Sequence, residues 1–168
     1  MLLLLGLIGY VSKGDARLES ALRQAKDNRK ELEYLLAFYK DDSLKLEAAK
    51  FLIRNMPGHY SYTQAVDSYY NAADALFAKN YPVKTMRDSL DALARKFDSS
   101  CFKTVPDVEI IKAEMLIATI EEAFMHWNYG DWAHYLTFSE FCEYLLPYKS
   151  RELQLLDNWR TCYLGHFN

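Results

Sequence analysis

Apolar residues recur at helical spacing along most of this chain. Between residues 15 and 39 they fall three or four positions apart on one face, and the opposite face is charged, so we predict one long helix capped by Asp15. The same spacing predicts further helices over 42–56, 63–79 and about 83–97. Pro57 follows the first of these and Pro82 lies just before the last, where proline interrupts helical geometry.

The most apolar helix is predicted near the middle of the chain. Apolar residues occupy two overlapping stripes from Val108 to Trp127 and leave only a narrow polar side. A helix of this kind must be covered by several neighbours, so we expect it at the centre of the fold. Thr104 and Asp107 are predicted to bracket its start, with Pro106 in the first turn, which places the helix at about 106–127.

A helix start and a helix stop lie close together near the end of the chain. Thr137 and Glu140 have the spacing of a capping box, and Pro147 ends the helix that follows. Apolar residues from Leu153 to Tyr163 predict a last helix, and no alternating strand pattern is apparent. We therefore predict an all-α fold, an irregular bundle of about six to seven helices in one domain over residues 15–168.

Composition limits the function classes. The chain has 168 residues with 13 Tyr, 9 Phe and 3 Trp, which is enough apolar material for one substantial core. Its net charge of -3 and the lack of a basic helix face argue against nucleic acid as a partner.

The first fourteen residues are expected to be signal-like or disordered. Residues 1–11 are almost wholly apolar, yet a helix of that length is far shorter than the roughly 20 residues that span a bilayer. They are similar to the apolar part of a secretory signal, although no basic flank and no Ala-x-Ala site accompany them. We expect an exported protein, periplasmic or at the cell surface, without a transmembrane span; a cytoplasmic protein is the alternative.

Chemically active residue types occur without a recognisable catalytic pattern. Glu122, His126, Asp131 and His134 are metal-ligand types within a short stretch, but the Glu-x-x-His pairs of helical metal sites are missing. Cys142 lies on an apolar helix face, where a buried, unreactive thiol is expected. The sequence therefore predicts no catalytic residue, no metal and no cofactor.

Aromatic residues are the best candidates for a binding surface. Tyrosine and tryptophan combine a flat apolar face with a polar group that suits sugars or partner proteins. Most of these rings are expected to pack in the core. Trp132 and Tyr135 lie in a connection between helices and are the most suitable for exposure; His134 and Tyr148 complete the set of candidate binding residues.

Two segments carry a resemblance to a known family. Residues 55–62 (Asn-Met-Pro-Gly-His-Tyr-Ser-Tyr), and residues 137–148 followed by Asn158-Trp159-Arg160, resemble the N-terminal helical region of exported bacterial transglutaminase-like proteins. In that family a papain-like domain with a Cys, His and Asp triad lies farther along the chain. No cysteine here matches the family nucleophile, and Lys149-Ser150-Arg151 stands where an Arg is usual after the proline motif.

The resemblance implies a non-catalytic helical module that serves packing or partner contact and is not an enzyme by itself. Its partner would be a transglutaminase-like catalytic domain or another protein. Self-association is a further expectation, because a face that normally meets the catalytic domain would leave apolar surface uncovered. The alternative is an independent module that binds glycans or peptides through its exposed aromatic residues.

Overall fold

The computed structural model describes residues 13–97 and 99–160, and it is predominantly helical over these ranges. This confirms the predicted fold class. The helices are α1 (Lys13–Gln24), α2 (Arg29–Phe38), α3 (Ser43–Asn55), α4 (Asp67–Phe77), α5 (Val83–Ala94), α6 (Ala113–Tyr129) and α7 (Phe138–Tyr144). Two short strands accompany them, β1 (Tyr60–Tyr62) and β2 (Thr104–Pro106).

The single helix predicted over residues 15–39 is wrong, because the chain breaks between α1 and α2. Lys26 adopts a positive φ of 51°, and a short 3₁₀ turn over Lys26–Asn28 redirects the backbone. The buried side chain of Asn28 donates hydrogen bonds to the carbonyls of Val108 and Ile111, at 3.1 and 2.8 Å. These distant contacts fix the break, and they allow α1 to pack on α3 while α2 packs on α6.

The central position predicted for the apolar helix agrees with the structure, but its predicted start at 106 is wrong. Residues Asp107–Glu109 form a separate 3₁₀ turn, and α6 begins at Ala113. The carboxylate of Glu31 on α2 accepts a hydrogen bond from the Ala113 amide at 3.1 Å. Glu31 therefore takes the capping role that was predicted for Thr104 and Asp107. The largest fully buried side chains around α6 are Leu32, Leu35, Ile53, Met56, Ile111, Leu116, Ile120, Phe141 and Leu146.

A small sheet is present that the sequence did not predict. Strands β1 and β2 pair antiparallel, with Ser61 opposite Val105. Leu153 lies on the other side of β1, where its amide donates to the Tyr60 carbonyl at 3.1 Å. This sheet therefore joins three separate parts of the chain beside the helices.

Helices α4 and α5 form a hairpin at the edge of the fold. They pack mainly on each other, and Ala73 is the one fully buried residue of the two helices. The ring of Tyr69 contacts Phe97 and Phe102, with ring centroids 5.4 and 5.2 Å apart. The hairpin is thus attached to the rest of the molecule through aromatic contacts near its base.

The capping box that starts α7 is confirmed. The Thr137 hydroxyl accepts from the Glu140 amide, and the Glu140 carboxylate accepts from the Thr137 amide at 2.8 Å. The box positions Phe141, which is fully buried and stacks on Trp127 with centroids 4.4 Å apart. Helix α7 is thereby fixed against the C-terminal half of α6.

The chain after α7 is mostly irregular. The helix predicted from residue 153 is wrong over 153–158, which are not helical; Leu153 has a φ of 60°. The end of that predicted helix and residues 1–12 of the signal-like segment predicted over 1–14 lie outside the described residues, whereas residues 13 and 14 belong to α1. Within the described ranges no helix is both long enough and apolar enough to cross a membrane.

Candidate functional site

A buried carboxylate organises the polar interior. Asp107 follows β2 directly and is fully buried. Its Oδ1 accepts a hydrogen bond from the Ser61 hydroxyl at 2.5 Å, and its Oδ2 accepts from the Tyr148 hydroxyl at 2.8 Å. The Lys149 ammonium lies 2.7 Å from the same Oδ2. We call these four residues, Ser61, Asp107, Tyr148 and Lys149, the hub.

The ammonium of Lys149 is held on all sides. Besides Asp107, it donates to the carbonyl of Tyr60 at 2.9 Å and to the carboxylate of Glu152 at 3.2 Å. Its side chain is only 7% exposed. These two hydrogen bonds and the ion pair with Asp107 surround the ammonium. Lys149 is therefore a structural cation.

A second polar contact lies at the edge of the hub. Nδ1 of His59 makes a short hydrogen bond with Oε1 of Glu152. A carboxylate only accepts, so Nδ1 carries the proton and Nε2 is the acceptor in a neutral ring. Burial acts to raise the pKa of Glu152, but the hydrogen bonds from His59 and Lys149 outweigh it and hold that pKa below its ordinary value. Glu152 is thus an anion that ties residues 149–153 to the start of β1.

Local sequence explains how these residues reach one place. Pro57 ends α3, and Gly58 adopts a φ of 96°, which turns the chain sharply into β1. His59 and Ser61 follow immediately, and alternation along the strand directs Ser61 inward. Burial and the neighbouring Asp107 raise the pKa of Tyr148, so its hydroxyl remains a donor.

Hydrogen bonds connect residues 158–160 to the segment just after α7 and to α6. The guanidinium of Arg160 donates to the carbonyls of Leu145 and Pro147, at 2.5 and 2.7 Å. Nε1 of Trp159 donates to the Tyr148 carbonyl at 3.1 Å, and Asn158 donates to Glu122 at 3.5 Å. These contacts keep Tyr148 and Lys149 directed toward Asp107.

The hub unites the two segments on which the family resemblance depends. Ser61 belongs to segment 55–62, and Tyr148 ends segment 137–148. Both hydroxyls donate to Asp107, which lies outside either segment. The hub therefore joins distant parts of the chain.

A cleft of about 430 Å³ opens beside the hub, between the end of α3 and α7. Cys142 forms part of its wall and is almost completely buried. Burial, followed by the charge of Glu143, raises the pKa of this thiol to about 11. The cleft is lined by Phe51, Leu52, Asn55, His59, Cys142, Glu143, Pro147, Tyr148, Lys149, Ser150, Arg151 and Glu152.

The cleft brings a thiol, an imidazole and a carboxylate to one place without forming a catalytic triad. Among the described residues, no hydrogen bond joins the Cys142 sulfur to His59. A nucleophilic cysteine needs a lowered pKa, whereas the pKa of Cys142 is raised. The arrangement favours ligand binding over thiol chemistry.

The candidate binding residues named from the sequence fall in two places. Trp132, His134 and Tyr135 lie together in the connection between α6 and α7 and are exposed. The rings of His134 and Tyr135 are 3.9 Å apart, and His134 Nδ1 lies 3.0 Å from the Gly130 carbonyl. Tyr148 is buried in the hub and is not part of this exposed group.

We call the exposed group at the end of α6 the aromatic corner: Met125, Tyr129, Trp132 and Tyr135. These side chains are 47%, 85%, 63% and 79% exposed. The corner is held firmly, because the Trp127 ring nitrogen donates to the Leu136 carbonyl at 3.1 Å.

Gly130 makes the tight turn of the corner. A Cβ at this position would lie 2.5 Å from the His126 carbonyl oxygen, closer than a side chain tolerates. The turn also brings Ala133 into the interior, where it is buried. The exposed rings are therefore presented on a fixed backbone.

Sequence reasoning missed most of the hub. Asp107 had only the signal of a helix cap, and Lys149 was noted only as a departure from the family pattern. Ser61 has no predicted role, and the sequence offers His59 only as one of several possible imidazole partners for a thiol. The one sequence signal that could have found them is the Pro-Gly turn, which places His59 and Ser61 at the start of a strand.

Metal-ligand residues do not gather in the described part of the chain. Across residues 13–97 and 99–160, no group of three or more His, Cys, Asp and Glu side chains could hold a metal ion. Glu122 is instead bonded to Asn158, and His134 contacts its own loop.

Comparison with known proteins identifies no relative. No protein-family model, no curated protein and no solved structure matches the chain. The resemblance to the leading region of transglutaminase-like proteins therefore stays a prediction. Function has to be argued from the geometry of the hub, the cleft and the aromatic corner.

Proposed function

We propose that this chain is a non-catalytic helical module that contacts a partner protein through its aromatic corner. The observation that carries the proposal is the exposure of Tyr129, Trp132 and Tyr135 on a fixed turn. Large rings of this kind dominate the binding energy of many protein interfaces, because they bury much area and lose little conformational entropy.

The polar residues of the described chain support a structural role over a catalytic one. Asp107 and Lys149 form an ion pair in the interior, and Lys149 also donates to the Tyr60 carbonyl and to Glu152. The thiol of Cys142 is protonated at neutral pH, because its pKa is raised to about 11. A catalytic role would need the Cys142 thiol to be ionised, or the charge of Asp107 or Lys149 to be available to a substrate.

The resemblance suggests which partner to test. A papain-like catalytic domain would cover the module if the chain belongs with exported transglutaminase-like proteins, and export through the apolar segment 1–11 is part of the same proposal. In the 168-residue chain studied by itself, the exposed rings are available to a second copy of the chain. Self-association is therefore the accessible readout.

Sedimentation velocity over a wide concentration range tests the proposal. We expect the weight-average sedimentation coefficient to rise with concentration for the unaltered chain. The double substitution Trp132→Ala with Tyr135→Ala should keep the protein monomeric. Tyr34→Ala is the matched control, because Tyr34 is 57% exposed on α2, outside the corner.

Two results would contradict the proposal. One is an unaltered chain that stays monomeric at every concentration. The other is a Tyr34→Ala variant that loses association as completely as the corner variant, because association would then not depend on the corner.

A second candidate function is the binding of glycans or peptides at the same surface. The side-by-side rings of His134 and Tyr135 favour it, because their polar atoms lie beside flat faces on which a sugar can stack. Titration of tryptophan fluorescence with a panel of oligosaccharides tests it, since Trp132 is exposed. A spectrum that no sugar quenches or shifts would remove its support.

A further inference from the structure

The cleft beside the hub carries two opposite charges that are not used by the fold. Glu143 projects from α7, and Arg151 follows in the irregular segment after it; both line the cleft. Among the described residues, neither side chain forms an ion pair with the other or with a third group. Both are exposed, so either can rearrange around a ligand.

The other charges around the cleft are already neutralised. Lys149 forms an ion pair with Asp107 and donates to Tyr60 and Glu152, and Glu152 also binds His59. A ligand that binds Lys149 or Glu152 would have to replace one of these contacts within the protein. The charged groups that remain for recognition are Glu143 and Arg151.

The rest of the lining is mixed, with the polar side chains of Asn55, His59 and Ser150 beside an apolar part. Phe51 and Leu52 come from the last turns of α3, and Pro147 closes the other side. The volume of about 430 Å³ is at the smaller end of the range for sites that bind small molecules, about 300–1,000 Å³. A cleft of this size can hold a ligand that has an apolar group and two polar ends.

We propose that this cleft binds a short zwitterionic peptide, about the size of a dipeptide with apolar side chains. Its carboxylate meets the Arg151 guanidinium, its ammonium meets the Glu143 carboxylate, and its side chains cover Phe51, Leu52 and Pro147. A ligand with a single sign of charge would place that charge beside a like charge in the same cleft.

This inference goes beyond partner contact and does not depend on it. The aromatic corner lies on α6 and the loop after it, and none of its four residues lines the cleft. The substitution Trp132→Ala should therefore leave peptide binding unchanged even if it abolishes self-association. The two proposals can fail separately.

Calorimetric titration of the full chain with L-leucyl-L-leucine, compared with its N-acetyl and C-terminal amide derivatives, tests the proposal. We expect saturable binding of the free dipeptide. Blocking either end should weaken binding by about two- to fivefold, because an ion pair made by an exposed side chain is worth about that factor. Absence of saturable binding, or equal binding of all three peptides, would overturn the proposal.

Two substitutions assign the ends of the ligand. In Arg151→Gln the amide derivative should bind as well as the free dipeptide, while the acetylated peptide stays weak. In Glu143→Gln the acetylated peptide should recover instead. Arg87→Gln, an exposed change on α5, is the matched control and should keep both preferences. Equal weakening of all three peptides by Arg151→Gln would contradict the assignment.

Discussion

Replacing Asp107 with asparagine removes the buried negative charge of the hub and keeps its shape. The asparagine oxygen can occupy the position of Oδ2, where it still accepts from Tyr148 and Lys149. Its amide group then faces the Ser61 hydroxyl, which can turn to accept a hydrogen bond. The main loss is therefore the charge that compensates the Lys149 ammonium.

The size of the effect follows from the surroundings of Lys149. Breaking a buried ion pair by removing one partner costs about 3–5 kcal/mol. Lys149 retains Glu152 at 3.2 Å and the Tyr60 carbonyl, so we expect the lower end, about 3 kcal/mol. For a chain of 168 residues this corresponds to a fall in melting temperature of about 6–12 °C.

Urea unfolding followed by circular dichroism measures this change in the free energy of unfolding. The double variant Asp107→Asn with Lys149→Met has no unpaired buried charge, so we expect it to be less destabilised than the sum of the two single variants by more than about 1 kcal/mol. The control Asp88→Asn, on the exposed face of α5, should change stability by less than about 0.5 kcal/mol. A loss below about 1 kcal/mol in Asp107→Asn, or additive single effects, would refute the reasoning.

Three further predictions concern other sites. Cys142 should react slowly with iodoacetamide in the native protein at neutral pH and quickly in urea, because burial raises its pKa; equal rates would contradict this. The hydrogen bond from the Ala113 amide lowers the pKa of Glu31. The ionised Glu31 therefore stabilises the fold above the ordinary pKa of 4.5, and this stabilisation is lost as the pH falls through the lowered pKa. Glu31→Gln should flatten the dependence of stability on pH below about pH 5. Gly130→Ala should cost more than about 1 kcal/mol in urea unfolding, because its Cβ meets the His126 carbonyl; unchanged stability would show that the turn can shift.

Features that depend on neighbouring residues were predictable from the sequence. Thr137 and Glu140 lie three positions apart, so the capping box needs no information from the rest of the chain. The two apolar stripes of α6 likewise indicate a helix covered on several sides. Trp132 and Tyr135 lie in a connection between helices, where rings have few neighbours to cover them, although their binding role stays a prediction.

Features that depend on distant contacts were not predictable. The break after α1 is fixed by the hydrogen bonds of Asn28 with residues about 80 positions away. Strands β1 and β2 have three residues each, too few for alternation to stand out, and they pair across most of α4 and α5. The helical spacing of apolar residues along the chain indicates neither the break after α1 nor the pairing of β1 with β2.

The hub was not predictable either, because its residues come together through contacts between distant parts of the chain. Asp107 near the start of an apolar run reads as a helix cap, because acidic residues are common there. Its actual partners come from β1 and from the segment after α7, each more than 40 positions away. The aromatic type of Tyr148 suits recognition and predicts a binding residue, whereas its hydroxyl donates to Asp107 in the interior.

The central claim is that the buried Asp107 carboxylate and the Lys149 ammonium form a joint between distant parts of the chain. The ¹H–¹⁵N spectrum of the lysine ammonium groups, recorded at low temperature and mildly acidic pH, tests it most directly. We expect a slowly exchanging Lys149 signal that couples to the Asp107 carboxyl carbon, while the ammonium of Lys40, 72% exposed, exchanges too fast to be seen. A Lys149 signal that exchanges as fast as that of Lys40 would contradict the account.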